Sequence, residues 1–448
     1  MHLYDAEIDR VATEIVEFAR WRTRLDPIPL DKTASVETLD ALAGATITDG
    51  GLGGHEALRI FREVLAPNCL SVDFPRYLAF VPCAPTELSI LFDLVVSAFS
   101  IYGGSWLEGA GAVFAENQAL RWLADLAGLP PEAGGCFVAG GTFGNLSALV
   151  AARHAANAVR PRRPRRWAIV AAESAHSSIH ATAEAMDADL IGAEVDERGR
   201  LTGKSVARAL SRARGRAFAV VATAGTTNLG LVDDLESIAQ VCTERGVWLH
   251  VDGAYGGAAM AAPSARHLFN GVELADSIII DPHKWLFAPF DACALLYRDP
   301  TKAYDAHAHH ASYLEILQMD HQWNPSDYAI HLTRRARGLP FWFSLAAHGT
   351  RAYEAAVERT LEVTREGAAL VQSADHVELV VDPVLSVLAI RRIGWTNDDY
   401  VQWSARMMRE QTAFVVPSLH EGQPMLRLCI VNPRTSGDDI RAILDTMR

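Results

Sequence analysis

The sequence predicts an α/β protein built on a mainly parallel sheet, followed by a smaller α+β domain. Between residues 136 and 297, six short apolar runs alternate with helical stretches: CFVA, WAIVAA, AFAVVATA, VWLHVD, SIIID and CALLY. These runs are too apolar to have a solvent-exposed face, so we expect strands that helices cover on both sides. The pattern after residue 335, with fewer strands and longer helices, predicts the second and smaller unit.

An N-terminal helical arm is predicted ahead of the sheet. Residues 6–20 have the apolar periodicity of an amphipathic helix, a connection with Pro27 and Pro29 follows, and the glycine cluster DGGLGGHEA precedes another helix. The segment LSILFDLVVSAF, residues 88–99, contains Asp93 and is too short to span a bilayer. We therefore expect it to be a buried helix.

The last quarter of the chain predicts the elements of the smaller domain. A long helix is expected over residues 340–373, then the strands VELVV and VLAIRR, another helix, the strand MLRLCIV and a last helix capped near Ser436. Taken together, the predicted elements divide the chain into a helical arm at residues 1–75, a large domain at 76–335 and a small domain at 336–448.

Charge and cysteine content exclude several kinds of partner. Lys and Arg total 41 against 54 Asp and Glu, so neither nucleic acid nor an anionic membrane is expected to bind. The six cysteines are scattered, without the close pairs of metal or redox motifs, and the N-terminus MHLYDAEIDR has no apolar signal core. These features predict a reduced, cytoplasmic protein. The basic segment RPRRPRR is interpreted as a solvated loop rather than an anion site.

Unusual residues follow several predicted strands, where open parallel sheets bind ligands. The run CFVA leads into GGTFGN, residues 140–145, and then a helix. Glycine lets the backbone approach closely and a helix N-terminus offers unpaired N–H groups, so this turn suits a phosphate. A tight turn without a ligand is the alternative. His176 and Asp252 follow two further strands. Taken alone, His176 is better explained as a structural histidine, and Asp252 is equally well explained as a helix cap.

Lys284 follows the run SIIID, between His283 and Trp285. Burial lowers a lysine pKa by up to ~3 to 5 units, which would make Lys284 an amine nucleophile; a lysine that snorkels to solvent is the alternative. Phosphate turn, imidazole, carboxylate and amine at successive strand ends together predict a pyridoxal 5′-phosphate site. Lys284 would hold this cofactor as a Schiff base, and Asp252 would keep the pyridine nitrogen protonated. His176 would stack on the ring.

Seven segments resemble one known family. They are GGTFGNLSALVAAR, ESAHSS, VVATAGTTNLG, WLHVDGAYGG, NGVELADSIIIDPHKWL, TRRARGLPFWF and MLRLCIVNPRT, in family order. From about Arg76 to the C-terminus, the chain is similar to the group II pyridoxal phosphate-dependent amino acid decarboxylases, which include aromatic amino acid, histidine, cysteine sulfinate and glutamate decarboxylases. The resemblance implies the aspartate aminotransferase-like fold type I, decarboxylation of an L-amino acid to its amine, and a homodimer with sites at the interface.

The resemblance also implies roles for single residues. Lys284 would form the Schiff base, Asp252 would contact the pyridine nitrogen and His176 would stack on the ring. Further residues are implied to contact the cofactor. Near its phosphate these are Gly141, Thr142 and Ser277, and along the rest of the cofactor they are Asn145, Thr227, Ala254 and His283. The substrate would meet Phe80 and Arg427. In glutamate-type members the arginine that matches Arg427 contacts a substrate carboxylate, whereas an exposed strand residue is the alternative.

Two segments depart from the family. The loop ASYLEILQMDHQWNPSDYAIHLTRR has a different length, so Tyr328 is a candidate for the tyrosine that protonates Cα after carbon dioxide leaves, with His310 and His321 as other candidates. The substrate-facing stretch YLAFVPCAPTELS matches neither the aromatic nor the glutamate subgroup. The substrate side chain therefore stays open. Oxidative decarboxylation and deamination to an aldehyde is the alternative reaction if no acid reaches Cα.

Three other protein classes explain less of the sequence. A nicotinamide oxidoreductase would need the full G-x-G-x-x-G spacing and would not need Lys284. A metal site at His307, His309 and His310 would lack nearby carboxylate or thiolate ligands, so no metal is expected. A binding or scaffold protein without a cofactor would be expected to have lost Lys284 or Asp252, and both are present.

Overall fold

The computed structural model describes residues 2–308 and 322–448, in which helices flank two sheets. The helices are α1 (Ala6–Arg22), α2 (Val36–Ala43), α3 (Gly54–Ile60), α4 (Glu87–Phe99), α5 (Trp106–Leu126), α6 (Gly141–Val159), α7 (Ser177–Ala185), α8 (Gly203–Ala213), α9 (Leu235–Arg245), α10 (Pro282–Trp285), α11 (Pro300–His307), α12 (Leu339–His348), α13 (Thr350–Gln372), α14 (Asn397–Arg409) and α15 (Gly437–Asp445). The strands are β1 (Gly134–Val138), β2 (Ala168–Ala172), β3 (Asp189–Ala193), β4 (Ala217–Thr223), β5 (Trp248–Asp252), β6 (Ser277–Ile280), β7 (Cys293–Tyr297), β8 (Val377–Leu379), β9 (Val387–Arg392), β10 (Pro417–His420) and β11 (Gln423–Cys429).

The larger sheet has the strand order β1-β7-β6-β5-β4-β2-β3. Five adjacent strands pair in parallel, in the order β6, β5, β4, β2 and β3. The strand β7 runs antiparallel to both of its neighbours, β1 and β6. This arrangement confirms the predicted mainly parallel sheet. The apolar runs do not reveal β3, because its sequence DLIGA contains an aspartate and a glycine and most of the strand is half-buried at the sheet edge.

Helices cover both faces of this sheet, as the residues of β6 show. Ile278 and Ile280 pack in the core on one face and Ile279 packs in the core on the other, and all three are fully buried. A strand buried on both faces has no polar alternation, which is why continuous apolar runs predict these strands. The carboxyl ends of the parallel strands lie along one edge of the sheet, and that edge positions the candidate site.

The smaller sheet is antiparallel, in the order β10-β11-β9-β8. It shares a core with α13, α14 and α15, including Tyr400, Trp403 and Ile440. The sequence does not reveal β10, because PSLH is short and half-exposed. The single helix expected over residues 340–373 is wrong, since α12 and α13 are separated at Gly349, whose φ of 77° is incompatible with a helix. The domain boundaries stay predictions.

Two N-terminal helices leave apolar side chains exposed. α1 has no buried residue although it is amphipathic. The expectation that residues 88–99 form a buried helix is half wrong: α4 exists, but Leu88, Leu94, Val95 and Phe99 are 38% to 74% exposed because nothing in the described chain packs on that face. In residues 2–308 and 322–448, no helix combines the length and the apolar character needed to cross a bilayer.

Candidate active site

A cavity of about 550 Å³ lies at the carboxyl edge of the larger sheet. Its wall is completed by β10, β11 and the segment around Phe80. The structure brings together at this wall most of the residues that the sequence analysis selects: Phe80, Gly141, Thr142, Asn145, His176, Thr227, Asp252, Ala254, His283, Lys284 and Arg427. Parallel strands direct all their carboxyl ends to one edge, so residues far apart in sequence meet there.

The glycine turn after β1 forms the part of the wall that suits a phosphate. Gly140 has φ 91°, a conformation that favours glycine. A Cβ added at Gly141 would lie 3.2 Å from both the Ala254 Cβ and the Asp281 Oδ2, so a side chain here would press on the cavity wall. No side chain caps the start of α6. Its first N–H groups are therefore available to an anion.

Buried hydrogen bonds orient Asp252. The Asn145 Nδ2 donates to the Asp252 Oδ2 and to the Ser178 Oγ, each at 2.9 Å, so the Asn145 Oδ1 faces away and accepts from the His250 Nε2 at 2.8 Å. The Ala254 N–H donates to the Asp252 Oδ1 at 3.2 Å. Burial lowers the pKa of His250 to about 4, against the opposing charge of Asp252, so this imidazole is neutral at pH 7. The network fixes the Asp252 carboxylate without supplying a second charge.

The ring of His176 is held by the start of α7. Its Nδ1 accepts from the Ser178 backbone N–H at 3.2 Å and lies 2.9 Å from the Ser178 Oγ. Because Nδ1 is an acceptor, the ring proton is assigned to Nε2. The side chain is thus fixed at the cavity wall, as a stacking role requires.

Lys284 ends in an ion pair rather than in an apolar pocket. Its Nζ lies 2.8 Å from the Oδ2 of Asp281, whose side chain is 1% exposed. Burial disfavours the ammonium, but the charge of Asp281, with help from Asp252, outweighs burial and raises the pKa of Lys284 above its ordinary value. This corrects the expectation that burial alone makes Lys284 a neutral amine, because that expectation omitted the carboxylate three residues earlier.

Arg427 is a second cation on the wall. It is only 5% exposed, so the alternative of an exposed strand residue is wrong. Its Nη1 donates to the Phe80 carbonyl oxygen at 2.6 Å, whereas its buried Nε and Nη2 have no hydrogen-bond partner among the described residues. A buried guanidinium with unpaired donors is well suited to bind a carboxylate.

Two selected residues lie away from the cavity. Ser277 is the first residue of β6, at the opposite end of the strand, where its Oγ lies 2.8 Å from both the Trp248 Nε1 and the His250 Nδ1. The rise of the strand places it roughly 10 Å from the carboxyl end of β6, which speaks against its expected place near the phosphate. Tyr328 is 8% exposed and stacks on Trp323, with ring centroids 4.0 Å apart, outside the cavity wall of its own chain. Its role as an acid stays a prediction.

The histidines near residue 310 add no site in the described chain. The His307 Nε2 lies 3.0 Å from the Ser147 carbonyl oxygen. His309, His310 and His321 lie outside the described residues. Across the part of the chain that is described, no group of His, Cys, Asp or Glu is arranged to hold a metal ion.

Sequence reasoning missed Asp281 and His250. A signal for Asp281 exists, since an acid three residues before a lysine at a helix start places both side chains on one face. His250 gives no such signal, because a histidine between apolar strand residues reveals nothing about its hydrogen-bond partners.

A family model and related sequences match most of the chain. The model of the pyridoxal-dependent decarboxylase conserved domain matches residues 55–392. An aromatic-L-amino-acid decarboxylase of Bacillus atrophaeus is 28% identical over 437 residues, which cover 93% of this chain and 89% of the relative. An L-2,4-diaminobutyrate decarboxylase of Rhizobium meliloti (strain 1021) is 30% identical over 413 residues, which cover 89% of this chain and 82% of the relative.

Solved structures share the fold. The crystal structure of Oryza sativa TDC with PLP and tryptamine has a TM-score of 0.91 to this chain at 23% identity, covering 100% of this chain and 99% of that one. The crystal structure of mouse CSAD has a TM-score of 0.87 at 23% identity, covering 99% of this chain and 98% of that one. The likeness confirms the predicted fold type I architecture.

Proposed function

The chain belongs to the pyridoxal-dependent decarboxylase family, and we propose that Lys284, Asp252 and His176 serve its removal of the α-carboxyl group of an L-amino acid. Membership makes it an enzyme that uses pyridoxal 5′-phosphate to decarboxylate an amino acid. One observation carries the assignment of residues: an amine, a carboxylate, an imidazole and a phosphate-binding turn lie on the wall of one cavity.

The cavity residues fit this cofactor. The glycine turn leaves space that a side chain at Gly141 would fill, and the first N–H groups of α6 are uncapped beside it. Bound pyridoxal phosphate supplies an electron-withdrawing ring that accepts the electron pair left at Cα when carbon dioxide departs. Lys284 is placed to hold the cofactor covalently, Asp252 to keep a proton on the pyridine nitrogen, and His176 to cover the ring. Thr142, Asn145, Thr227, Ala254 and His283 complete the wall around them.

The wall also supports a substrate class. Arg427 lies on the cavity wall as a buried cation with two unpaired donors among the described residues, which supports it as the partner of a substrate carboxylate. Phe80, Val81, Val416 and Pro417 form an apolar part of the cavity. The acidic residues of the described wall are Asp252 and Asp281, and both are engaged by other groups of the chain. We therefore propose a substrate with a neutral, apolar or aromatic side chain rather than a cationic one.

Replacing Arg427 by methionine is expected to raise KM by about 10- to 100-fold, because a hydrogen bond to a charged group contributes about 1.5 to 3 kcal/mol. The measurement is carbon dioxide release from tryptophan, phenylalanine, tyrosine and leucine, with 2,4-diaminobutyrate and glutamate for comparison. Arg391→Met is the matched control, since Arg391 also has an unpaired Nε but lies outside the cavity wall. Preference for diaminobutyrate, or an unchanged KM in Arg427→Met, would contradict the substrate proposal.

Tyr328→Phe is expected to shift the product from amine towards aldehyde with peroxide, because the variant preserves the stacking on Trp323 and removes only the phenol proton that would reach Cα. Amine, aldehyde and peroxide are measured together in the native protein and the variant. Tyr304→Phe is the control, since its ring lies 6.4 Å from that of Tyr328. A rise in aldehyde and peroxide with Tyr328→Phe alone would show that this tyrosine protonates Cα, after loop movement or across a subunit interface, whereas amine as the main product of the variant would exclude it.

We also propose a homodimer with active sites at the interface. The exposed apolar side chains of α1, α4 and α5 support it: Ile15, Trp21, Leu94, Val95, Phe99 and Phe114. Such a surface is typical of an interaction site. All six cysteines are free, which supports the reducing cytoplasm as its compartment. The boundaries 1–75, 76–335 and 336–448 are retained as the proposed arm, cofactor-binding domain and small domain.

Light scattering of the native protein is expected to give twice the chain mass of 48.7 kDa. The double variant Leu94→Glu, Phe99→Glu is expected to give the single-chain mass, because it places charges in the proposed apolar interface. Val401→Glu serves as the control, since Val401 is exposed on α14. A native protein of single-chain mass at micromolar concentration would refute the homodimer.

A further inference from the structure

Asp281 is a buried carboxylate that helix capping does not explain. It precedes Pro282 at the start of α10, where an aspartate ordinarily accepts hydrogen bonds from the first helical N–H groups. Here its side chain makes no cap hydrogen bond. Apart from the ion pair with Lys284 and the nearby Cys293 thiol, neither oxygen has a hydrogen-bond partner among the described residues. Because burial of a carboxylate with so few partners is unfavourable, its position calls for a functional explanation.

The carboxylate lies between the amine and the phosphate-binding turn. Its Oδ2 is 2.8 Å from the Lys284 Nζ, 3.8 Å from the His283 Nε2, and 3.2 Å from the point where a Cβ on Gly141 would stand. The other titratable groups that act on this ion pair are Asp252 of β5, Cys293 of β7 and Cys429 of β11. Asp281 is thus the acidic group in direct contact with the amine.

We propose that Asp281 is a positioning residue for Lys284, holding its amine as an ammonium ion at the cavity wall and accepting a proton from it when it bonds to the aldehyde of the cofactor. This inference rests on the proposed role of Lys284 as the residue that binds the cofactor covalently. The ion pair fixes the flexible lysine side chain before the cofactor arrives.

The proton balance requires such a base. An ammonium nitrogen has no free electron pair, so one proton must pass to a base, here the Asp281 Oδ2, before the nitrogen attacks the aldehyde carbon. The carbon–nitrogen bond then forms and the carbon–oxygen bond breaks, so that the aldehyde oxygen leaves as water with two protons, one returned by Asp281 and one lost by the nitrogen. One proton stays on the nitrogen, so Asp281 faces a single positive charge before and after the reaction.

The test begins with cofactor-free protein in three forms: native, Asp281→Asn and Asp276→Asn. Asp276 directly precedes the first residue of β6, whereas Asp281 directly follows the last one. Asp276→Asn therefore also removes a carboxylate charge, but at the end of the strand that is remote from the cavity. Each protein is treated with a limiting amount of fluorodinitrobenzene, a reagent that reacts with amines in their uncharged form. Labelling of Lys284 is then measured by peptide mass spectrometry. We expect labelling at neutral pH to be about tenfold faster or more in Asp281→Asn, because the opposite charge that keeps Lys284 protonated is gone. Equal rates in all three proteins would overturn the proposal.

A second measurement separates this inference from the proposed function. Pyridoxal 5′-phosphate is added to each protein, its visible absorbance is followed against pH, and borohydride then fixes the attachment site. In Asp281→Asn the absorbance is expected to titrate at lower pH than in the native protein. Fixation on a lysine other than Lys284 would defeat the proposed function itself, whereas fixation on Lys284 with an unchanged titration would defeat only the role of Asp281. If Asp281→Asn does not fold, the native protein alone can test the proposal. The labelling rate of Lys284 is then measured against pH, and a midpoint at lower pH than that of a free lysine side chain would overturn the proposal.

Discussion

Lys284→Arg is expected to lower decarboxylation by roughly a thousandfold or more while the chain stays folded, because the proposed covalent link to the cofactor is lost. Arginine keeps a positive charge beside Asp281, but its guanidinium does not lose a proton in proteins and so cannot bond to an aldehyde. The measurements are turnover, visible absorbance of the purified protein, and mass spectrometry after borohydride treatment. The variant should lack the absorbance and the label.

Lys284→Ala separates the chemistry from the ion pair. It also removes the covalent link, but it leaves Asp281 buried without a cation, so we expect the cofactor-free protein to lose about 3 kcal/mol of unfolding free energy relative to Lys284→Arg. Denaturant unfolding of both variants measures the difference. Lys302→Ala is the control, since that lysine lies outside the cavity wall and is half-exposed. A borohydride label on another lysine in Lys284→Arg would reject Lys284 as the attachment residue.

The sequence predicts most reliably those strands and site residues whose positions follow from burial in the core. Runs such as SIIID mark strands because the isoleucines of β6 are buried on both faces of the sheet, and the polar residues after such runs mark the cavity because parallel strands end at one edge. The same logic fails where burial is incomplete. The strand β3 at a sheet edge and the hairpin strand β10 carry too little apolar character to be recognised.

The local sequence pattern also does not reveal which side chains form hydrogen bonds or ion pairs with each other. The motif containing Lys284 predicts an amine at the cavity, but whether that amine is neutral depends on the distance to Asp281, which only the fold sets. Ser277 is misplaced for the opposite reason, because a role implied by resemblance ignored that the first residue of a strand lies far from its carboxyl end. The α4 surface is a third case, since a helix apolar enough for burial can be covered by a partner instead of by its own chain.

We expect Asp252 to act on the electron flow rather than on binding. Its oxygens are held by the Asn145 amide and the Ala254 N–H, and the neutral His250 behind Asn145 leaves the negative charge on Asp252. A carboxylate beside a nitrogen base shifts that base's pKa by ~1 to 3 units, each worth about 1.4 kcal/mol. A pyridine nitrogen that Asp252 keeps protonated would matter most when carbon dioxide leaves, because the ring would then take up the electron pair. The contribution of Asp252 is therefore expected in the transition state and in kcat rather than in KM.

Asp252→Asn is accordingly expected to lower kcat by roughly a hundredfold to a thousandfold with little change in KM, since asparagine keeps the shape and one acceptor oxygen but cannot carry the charge. Turnover is normalised to bound cofactor, which borohydride fixation on Lys284 measures, so that weaker loading is not mistaken for slower chemistry. Asp233→Asn is the matched control: Asp233 is also buried and accepts the backbone N–H groups of Leu201 and Thr223, but it lies outside the cavity wall, so its loss should affect stability and spare kcat. Near-native kcat in a fully loaded Asp252→Asn protein would show that Asp252 serves only to cap the turn after β5, and the electron-withdrawing power of the ring would then have to come from another group.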